Sequence, residues 1–307
     1  MKFAIMGTGG VGGYFGARLA MDGNDVGFIA RGAHRAAMQR DGLRVLSPSG
    51  DIHIETPLAP DDPADLGLCD FVLFCVKLWD VEAAAEAIRP LLSNETAVIP
   101  LQNGVSVTDT LADLLGPRHV LGGVAQIGAT IEGPGVIRHT TPFARIIFGE
   151  RDGAQSWRQE CMLSACMGAG IEARVSQAID VDIWKKFVLL APLAAATCID
   201  RCPIGGVMGD PARRARHAAM VREACAVARA KGIALDAEVE DKTIAAPTGF
   251  PGDMKTSMLT DLEHGRRLEL DWLSGEVVRL GKELGVETPE TTAVYEALKP
   301  HAMGNAG

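Results

Sequence analysis

Short apolar runs alternate with helix-like stretches through the first half of the chain. The run FVLFCV at Phe71–Val76 is continuously apolar, as expected for a strand that is covered on both faces. The same alternation predicts further strands at Phe3–Met6, Asp25–Ala30 and Ala97–Leu101, and helices at Val11–Met21, Ala33–Arg40, Val81–Leu92 and Val107–Leu115. Strands that alternate with helices predict an α/β fold with a doubly wound parallel sheet.

The pattern changes twice further along the chain. Leu43–Leu46 and Ile52–Glu55 flank Ser-Pro-Ser-Gly and predict a hairpin, and Gly-rich, β-branched segments between residues 120 and 150 predict two or three more strands. A helix near Trp157–Met167 and a strand near Ile171–Val175 complete this part. After about Ala178 the patterns become helical, with predicted helices at Ile183–Thr197, Pro211–Lys231, Leu262–Leu284 and Pro289–Ala302. We therefore predict an α/β domain over residues 1–177 and an all-helical domain over residues 178–307.

Composition and charge narrow the classes of partner. The 307 residues are 47% hydrophobic, which suffices for two cores, and the net charge of -9 without a Lys/Arg block argues against nucleic acid. The longest apolar run, Phe187–Ile199, contains a proline and is too short to span a bilayer, and Met1 leads directly into a strand rather than a signal peptide. Seven scattered cysteines predict free thiols in a reducing cytoplasm, with no metal site. We expect a cytoplasmic protein without a membrane partner.

Six glycines stand within the ten residues from Gly7 to Gly16, where the first strand gives way to the first helix. Gly7, Gly9 and Gly12 form G-x-G-x-x-G, in which the first glycine makes a tight turn, the second admits a pyrophosphate and the third brings helix and strand together. The helix N-terminus then presents unpaired N–H groups to the phosphates. This arrangement predicts a Rossmann-type dinucleotide site built from Gly7, Thr8, Gly9, Gly10, Val11 and Gly12. The alternative is a glycine-rich turn that packs tightly and holds no ligand.

Arg31 occupies the end of the second strand, where binders of NAD usually carry an acidic residue. A guanidinium suits the 2′-phosphate of NADP(H) through paired, charge-assisted hydrogen bonds, and Arg35 follows one helical turn later. The sequence therefore predicts NADP(H) as the cofactor. The alternative is that Arg31 is a solvated loop cation.

Several polar residues are candidates for the chemistry. Lys77 and Asn103 follow predicted strands, at the sheet edge where ligands bind in such folds, although Asn-Gly is also a common turn pair. Lys185 and Lys186 share an amphipathic helix, and periodicity does not choose between them; a surface position suits either. Ser257, Asp261, Glu269 and Asp271 lie in a stretch that by composition predicts a charged helix with a solvated face.

Taken together, these residues resemble the ketopantoate reductase (2-dehydropantoate 2-reductase) family over nearly the whole chain. The residues that carry the resemblance are GTGGVG at 7–12, Arg31, Lys77, QNG at 102–104, the W-x-K of Trp184–Lys186, and the run from Ser257 to Asp271.

The resemblance implies a Rossmann domain joined to a helical domain, with the active site in the cleft. It also chooses between Lys185 and Lys186. Lys186 corresponds to the catalytic lysine, Glu269 to the essential glutamate, and Ser257 to the substrate-binding serine. Asn103 corresponds to the asparagine that contacts both cofactor and substrate. The implied reaction is NADPH-dependent reduction of a 2-oxo acid, most directly of 2-dehydropantoate to pantoate in pantothenate biosynthesis.

Three positions depart from the family pattern. Leu190, Ala194 and Ile204 stand where the family typically has asparagines, which predicts a more apolar pocket and leaves the exact 2-oxo acid open. Two alternatives follow: an NADP-dependent reductase of the same fold acting on another acid, and a non-catalytic NADP sensor, against which the retained Lys186 and Glu269 argue. The apolar helical half, with Trp272, builds either a core or the face of a homodimer.

Overall fold

The computed structural model describes residues 1–304, which group into two compact units. The first unit consists of Met1–Gln102 and Ser106–Asp182, and the second of Asn103–Val105 and the chain from Ile183 onward. The division into a cofactor domain over 1–177 and a catalytic domain over 178–307 stays a prediction about function, and residues 305–307 lie outside the described part.

Within the described residues, the first unit holds the nine strands and five complete α-helices. In chain order these are β1 (Lys2–Met6), α1 (Gly10–Met21), β2 (Asp25–Ile29), α2 (Gly32–Asp41), β3 (Leu43–Leu46), β4 (Ile52–Ile54), β5 (Cys69–Phe74), α3 (Val81–Ile88), β6 (Leu92–Pro100), α4 (Val107–Leu115), β7 (Gly122–Gly133), β8 (Val136–Gly149), α5 (Trp157–Gly168) and β9 (Glu172–Val175).

Two sheets form from these strands. The first has the order β2-β1-β5-β6 and is parallel throughout, which confirms the predicted parallel sheet. The second has the order β4-β3-β8-β7, with β9 beside β8. The β3–β4 hairpin is antiparallel as predicted, whereas sequence patterning did not show that these strands would form a separate, mixed sheet.

Helix α1 is glycine-rich because strands from both sheets approach it closely. A Cβ atom on Gly16 would lie 2.7 Å from Ile5 Cγ1 on β1, and one on Gly13 would lie 2.7 Å from Ile137 Cγ1 on β8. Atoms at such distances overlap, so the packing requires residues without side chains, although glycine lowers helix propensity. Phe15 on the same helix is fully buried, so α1 lies in the core of the unit.

The second unit is helical. Its helices are α6 (Ile179–Ile199), which begins in the first unit, and α7 (Ile204–Met208), α8 (Pro211–Ala230), α9 (Val239–Ala245), α10 (Ser257–Glu263), α11 (Ser274–Leu284) and α12 (Pro289–Leu298). From Ala191 to Cys198 every residue of α6 is buried, and a helix that is apolar all round belongs in a core. The short helices α7 and α9 were not predicted.

The continuous helix predicted over Leu262–Leu284 is wrong. Helix α10 ends at Glu263 and α11 starts at Ser274. Gly265 between them has φ 62°, a left-handed conformation that favours glycine and ends a helix, and Leu268 donates its N–H to the carbonyl of Ala302 instead of to a helical partner. The predicted solvated face is also wrong at Glu269, which lies in this irregular segment and is only 8% exposed.

Among residues 1–304, no helix is both long enough and apolar enough to cross a bilayer.

The helical unit contains a buried histidine whose protonation would oppose folding. His217 on α8 is fully buried, and neither ring nitrogen has a hydrogen-bond partner within residues 1–304. Burial lowers the pKa of His217 to about 4, because a charged imidazolium cannot be solvated there.

We predict that His217→Leu flattens the acid limb of the stability curve. His217 binds a proton near pH 6.5 in the unfolded chain and only near pH 4 in the folded chain. Its contribution to the free energy of unfolding is therefore fully present above pH 6.5 and is lost as the pH drops from 6.5 to 4. The loss amounts to about 1.4 kcal/mol per pH unit over that window. Urea unfolding at several pH values, with exposed His264→Gln as control, measures it; identical slopes for wild type and His217→Leu would contradict the prediction.

Candidate functional site

The glycine loop has the shape that a bound dinucleotide requires. Gly7 adopts φ 98°, and a Cβ atom there would lie 2.8 Å from the backbone nitrogen of Val76. A Cβ atom on Gly12 would lie 2.8 Å from Ile5 Cγ2 and would overlap the carbonyl of Gly7, so α1 can approach β1 only with glycine at this position. A Cβ atom on Gly9, in contrast, would meet no atom within 4 Å. The three glycines thus provide a tight turn, close helix packing and an open backbone surface, which fit a pyrophosphate.

Hydrogen bonds hold this loop against the neighbouring strands. Thr8 donates both its N–H, at 2.9 Å, and its hydroxyl, at 3.1 Å, to the carbonyl of Ile29 at the end of β2. On the other side, Cys75 after β5 donates its N–H to the carbonyl of Met6 at 2.7 Å. The buried Thr8 hydroxyl is therefore used within the protein, and its contact with a cofactor stays a prediction.

Two predicted cofactor cations lie at the same sheet edge. Arg31 precedes α2, and its guanidinium Nη1 lies 3.6 Å from Oδ1 of Asp80, which follows β5. Lys77 is exposed, and its ammonium lies over the ring of Trp79, 5.6 Å from the centroid. Arg35 pairs with Asp61 at 2.7 Å. An acidic partner for Arg31 was not predicted from the sequence.

Asn103 lies in the turn between β6 and α4. Gly104 has φ 96°, so the Asn-Gly pair does form the tight turn that its sequence suggests. Asn103 itself is half-buried. The preceding residue, Gln102, carries a buried side-chain amide whose nitrogen and oxygen have no hydrogen-bond partner in the described chain. Its burial could not be inferred from sequence.

The two neighbouring lysines of α6 have different environments. Lys185 forms a 2.9 Å ion pair with Asp236 and is 40% exposed, as an ordinary surface lysine would be. Burial lowers the pKa of Lys186 to about 8, and the negative charge of Glu269 acts in the opposite direction. A partly buried amine with a pKa near neutrality is characteristic of proton-transferring lysines. This contrast supports Lys186, rather than Lys185, as the candidate proton donor.

Ser257 is the first residue of α10 and is exposed. The preceding Thr256 caps the helix by accepting the N–H of Leu259, and its hydroxyl lies 2.8 Å from that of Thr197 on α6. This hydroxyl pair fixes the start of α10 against α6. Ser257 is thereby positioned relative to the helix that carries Lys186.

The three positions that depart from the family pattern differ in exposure. Ala194 and Ile204 are each 1% exposed and belong to the core. Leu190 is half-buried and lies one helical turn after Lys186, on the same face of α6. Of the three positions, Leu190 is thus the one that is not fully buried and that shares a helix face with Lys186.

Both units match models of one family. Residues 3–153 match the model described as ketopantoate reductase PanE/ApbA, and residues 178–302 match its C-terminal model. The chain belongs to the ketopantoate reductase family. It is therefore an oxidoreductase that works with a nicotinamide cofactor, and the resemblance recognised from sequence motifs is confirmed.

Individual relatives support this membership along the whole chain. A 2-dehydropantoate 2-reductase of Mesorhizobium japonicum is 32% identical over 327 residues, covering 99% of this chain and 98% of that protein. An uncharacterized oxidoreductase, YkpB, of Bacillus subtilis is 31% identical, covering 97% and 98%. The crystal structure of a PanE/ApbA family ketopantoate reductase from Ralstonia eutropha superposes with a TM-score of 0.90 at 31% identity, covering 98% of each chain.

We predict that Glu269→Gln lowers the titration midpoint of Lys186 below about 8, because the carboxylate charge that favours the ammonium form is removed. NMR of ¹³C-methylated lysines measures the midpoint, and loss of one resonance in Lys186→Arg assigns it. The Lys185 resonance serves as internal control, since its partner Asp236 is unchanged. A midpoint that is the same in wild type and Glu269→Gln would show that the two charges are not coupled.

Proposed function

We propose that the protein reduces a 2-oxo acid to a 2-hydroxy acid with NADPH, and that 2-dehydropantoate, which yields pantoate, is its substrate. The observation that carries this proposal is the partly buried Lys186, whose lowered pKa and neighbouring Glu269 suit a proton donor. The relative from Mesorhizobium japonicum bears the name of this activity. Pantothenate biosynthesis is then the route that the product enters.

The cofactor would be held by residues of the first unit. Gly7, Gly9 and Gly12 would admit the pyrophosphate at the N-terminus of α1. Arg31 would bind the 2′-phosphate through charge-assisted hydrogen bonds. Thr8, Gly10 and Val11 complete the loop, and Lys77 adds a positive charge. When bound, the reduced nicotinamide supplies the hydride that C2 of the substrate accepts.

Lys186 would act on the oxygen at C2. As an ammonium it donates a hydrogen bond to the carbonyl oxygen, stabilises the negative charge that develops there, and transfers its proton, leaving a neutral amine and an alcohol. A pKa of about 8 makes this proton easier to release than that of an ordinary lysine while keeping the amine largely charged at neutral pH. Glu269 maintains the charged form. Asn103 would orient the cofactor and substrate, and Ser257 would bind the substrate carboxylate.

A second substrate class is favoured by Leu190. An apolar side chain one turn from Lys186 cannot hydrogen-bond the 4-hydroxyl of 2-dehydropantoate, whereas it suits a branched 2-oxo acid without that hydroxyl. The reaction and the roles of Lys186 and Glu269 are the same for both substrates.

Replacing the proton donor tests the reaction. We predict that Lys186→Ala lowers kcat by roughly 10²–10⁴-fold, the usual scale for a positioned acid. Lys185→Ala, its matched control, should retain activity because Lys185 pairs with Asp236 outside this chemistry. The kcat of the wild type should fall as the pH rises above about 8, where Lys186 loses its proton. Activity of Lys186→Ala within twofold of wild type would remove Lys186 from the mechanism.

A panel of 2-oxo acids tests the substrate. NADPH oxidation at 340 nm is followed with 2-dehydropantoate and with its analogue that lacks the 4-hydroxyl, 3,3-dimethyl-2-oxobutanoate. Leu190→Asn should raise the kcat/KM ratio of 2-dehydropantoate to the analogue by up to about tenfold, since one added hydrogen bond contributes about 0.5–1.5 kcal/mol. Leu190→Met serves as an apolar control. Tight NADPH binding without turnover of any acid would instead support a sensor.

A further inference from the structure

A carboxylate lies beside the arginine that is expected to select NADPH. Oδ1 of Asp80 is 3.6 Å from Nη1 of Arg31, and the side chains are 37% and 66% exposed. We infer that these two residues form a bifunctional ribose site: Arg31 receives the 2′-phosphate of NADPH, and Asp80 accepts a hydrogen bond from the 2′-hydroxyl of NADH. The protein accordingly uses both cofactors. This inference rests on the nicotinamide-dependent function proposed above.

The topology of the first sheet brings Asp80 to this place. Strand β1 lies between β2 and β5, and all three are parallel, so their carboxyl ends share one edge. Arg31 follows β2. Asp80 is the last residue of the short 3₁₀ turn at Leu78–Asp80, which follows β5. The glycine loop lies between them. On one side Thr8 donates its N–H to the carbonyl of Ile29, and on the other the carbonyl of Met6 accepts the N–H of Cys75.

Many NAD-binding folds place an acidic residue at the end of the second strand to bond the ribose hydroxyls. In this chain that position is Arg31, and the carboxylate comes from the neighbouring strand connection instead. Asp80 precedes α3, yet within the described residues its side chain caps no amide of that helix. Within this part of the chain, the carboxylate of Asp80 is therefore not used to cap α3.

The charges of the site set the direction of the effect. An exposed ion pair is weak, so Arg31 can exchange Asp80 for a phosphate at little cost. A phosphate held by Arg31 still lies near the negative Asp80, and this repulsion reduces the advantage of NADPH. The uncharged 2′-hydroxyl of NADH suffers no such repulsion and gains an acceptor. Asp80 therefore acts against discrimination, while Arg31 acts for it.

The test compares the dissociation constants of NADPH and NADH by fluorescence titration for wild type, Asp80→Asn, Arg31→Ala and Glu82→Gln. Asp80→Asn should tighten NADPH and weaken NADH, raising the NADPH preference by roughly fivefold to twentyfold. Arg31→Ala should weaken NADPH much more than NADH. Glu82→Gln removes one exposed negative charge from α3 and should leave the preference within twofold.

The outcomes separate this inference from the proposed function. If wild type binds NADPH and NADH but Asp80→Asn leaves their ratio unchanged, or Glu82→Gln shifts it equally, the role of Asp80 is overturned and the reductase proposal stands. If wild type binds NADPH but no NADH at millimolar concentration, dual use is overturned. If wild type binds neither cofactor, the reductase proposal fails together with this inference.

Discussion

The close approach of α1 to the first sheet is the constraint on which the first unit depends. Gly12 and Gly16 bring the helix so near to Ile5 that any side chain on either glycine would overlap the strand. This approach aims the helix N-terminus at the carboxyl edge of the sheet, where Gly9 leaves the backbone open. The same residues that weaken the helix by propensity thus create its capacity to face a phosphate. Substituting them would disturb both the packing of α1 on the sheet and the conformation of the loop that precedes it.

In the helical unit the corresponding constraint is electrostatic. Removing water from the ammonium of Lys186 lowers its pKa, and the carboxylate of Glu269 limits that change. The two effects oppose each other, because desolvation favours the neutral amine and the nearby carboxylate favours the ammonium. The irregular segment after α10 matters here, since it brings Glu269 into the protein interior. The helix predicted for this stretch would have had a face exposed to solvent instead.

Sequence reasoning was most successful where a local pattern has one physical solution. The glycine spacing, the continuously apolar Phe71–Val76 and the hairpin around Ser-Pro-Ser-Gly each specified their element. The prediction was wrong over Leu262–Leu284, because a single glycine that adopts a left-handed conformation does not stand out in a helical pattern. The choice of Lys186 came from family resemblance; spacing could not supply it, since burial depends on distant segments. The pairing of Arg31 with Asp80 likewise depends on sheet order, which brings together residues that are far apart in the sequence.

The hydroxyl pair between Thr197 and Thr256 fixes where α10 starts relative to α6. One helix carries Lys186 near its start and Thr197 near its end, and Thr197 holds the cap that precedes Ser257. The separation of Lys186 and Ser257 is thus set by a frame of two helices, α6 and α10, rather than by the side chains around them. Positions such as Leu190 can then be exchanged without disturbing that frame. The surface beside Lys186 can therefore change in polarity while the contact that fixes the start of α10 stays the same.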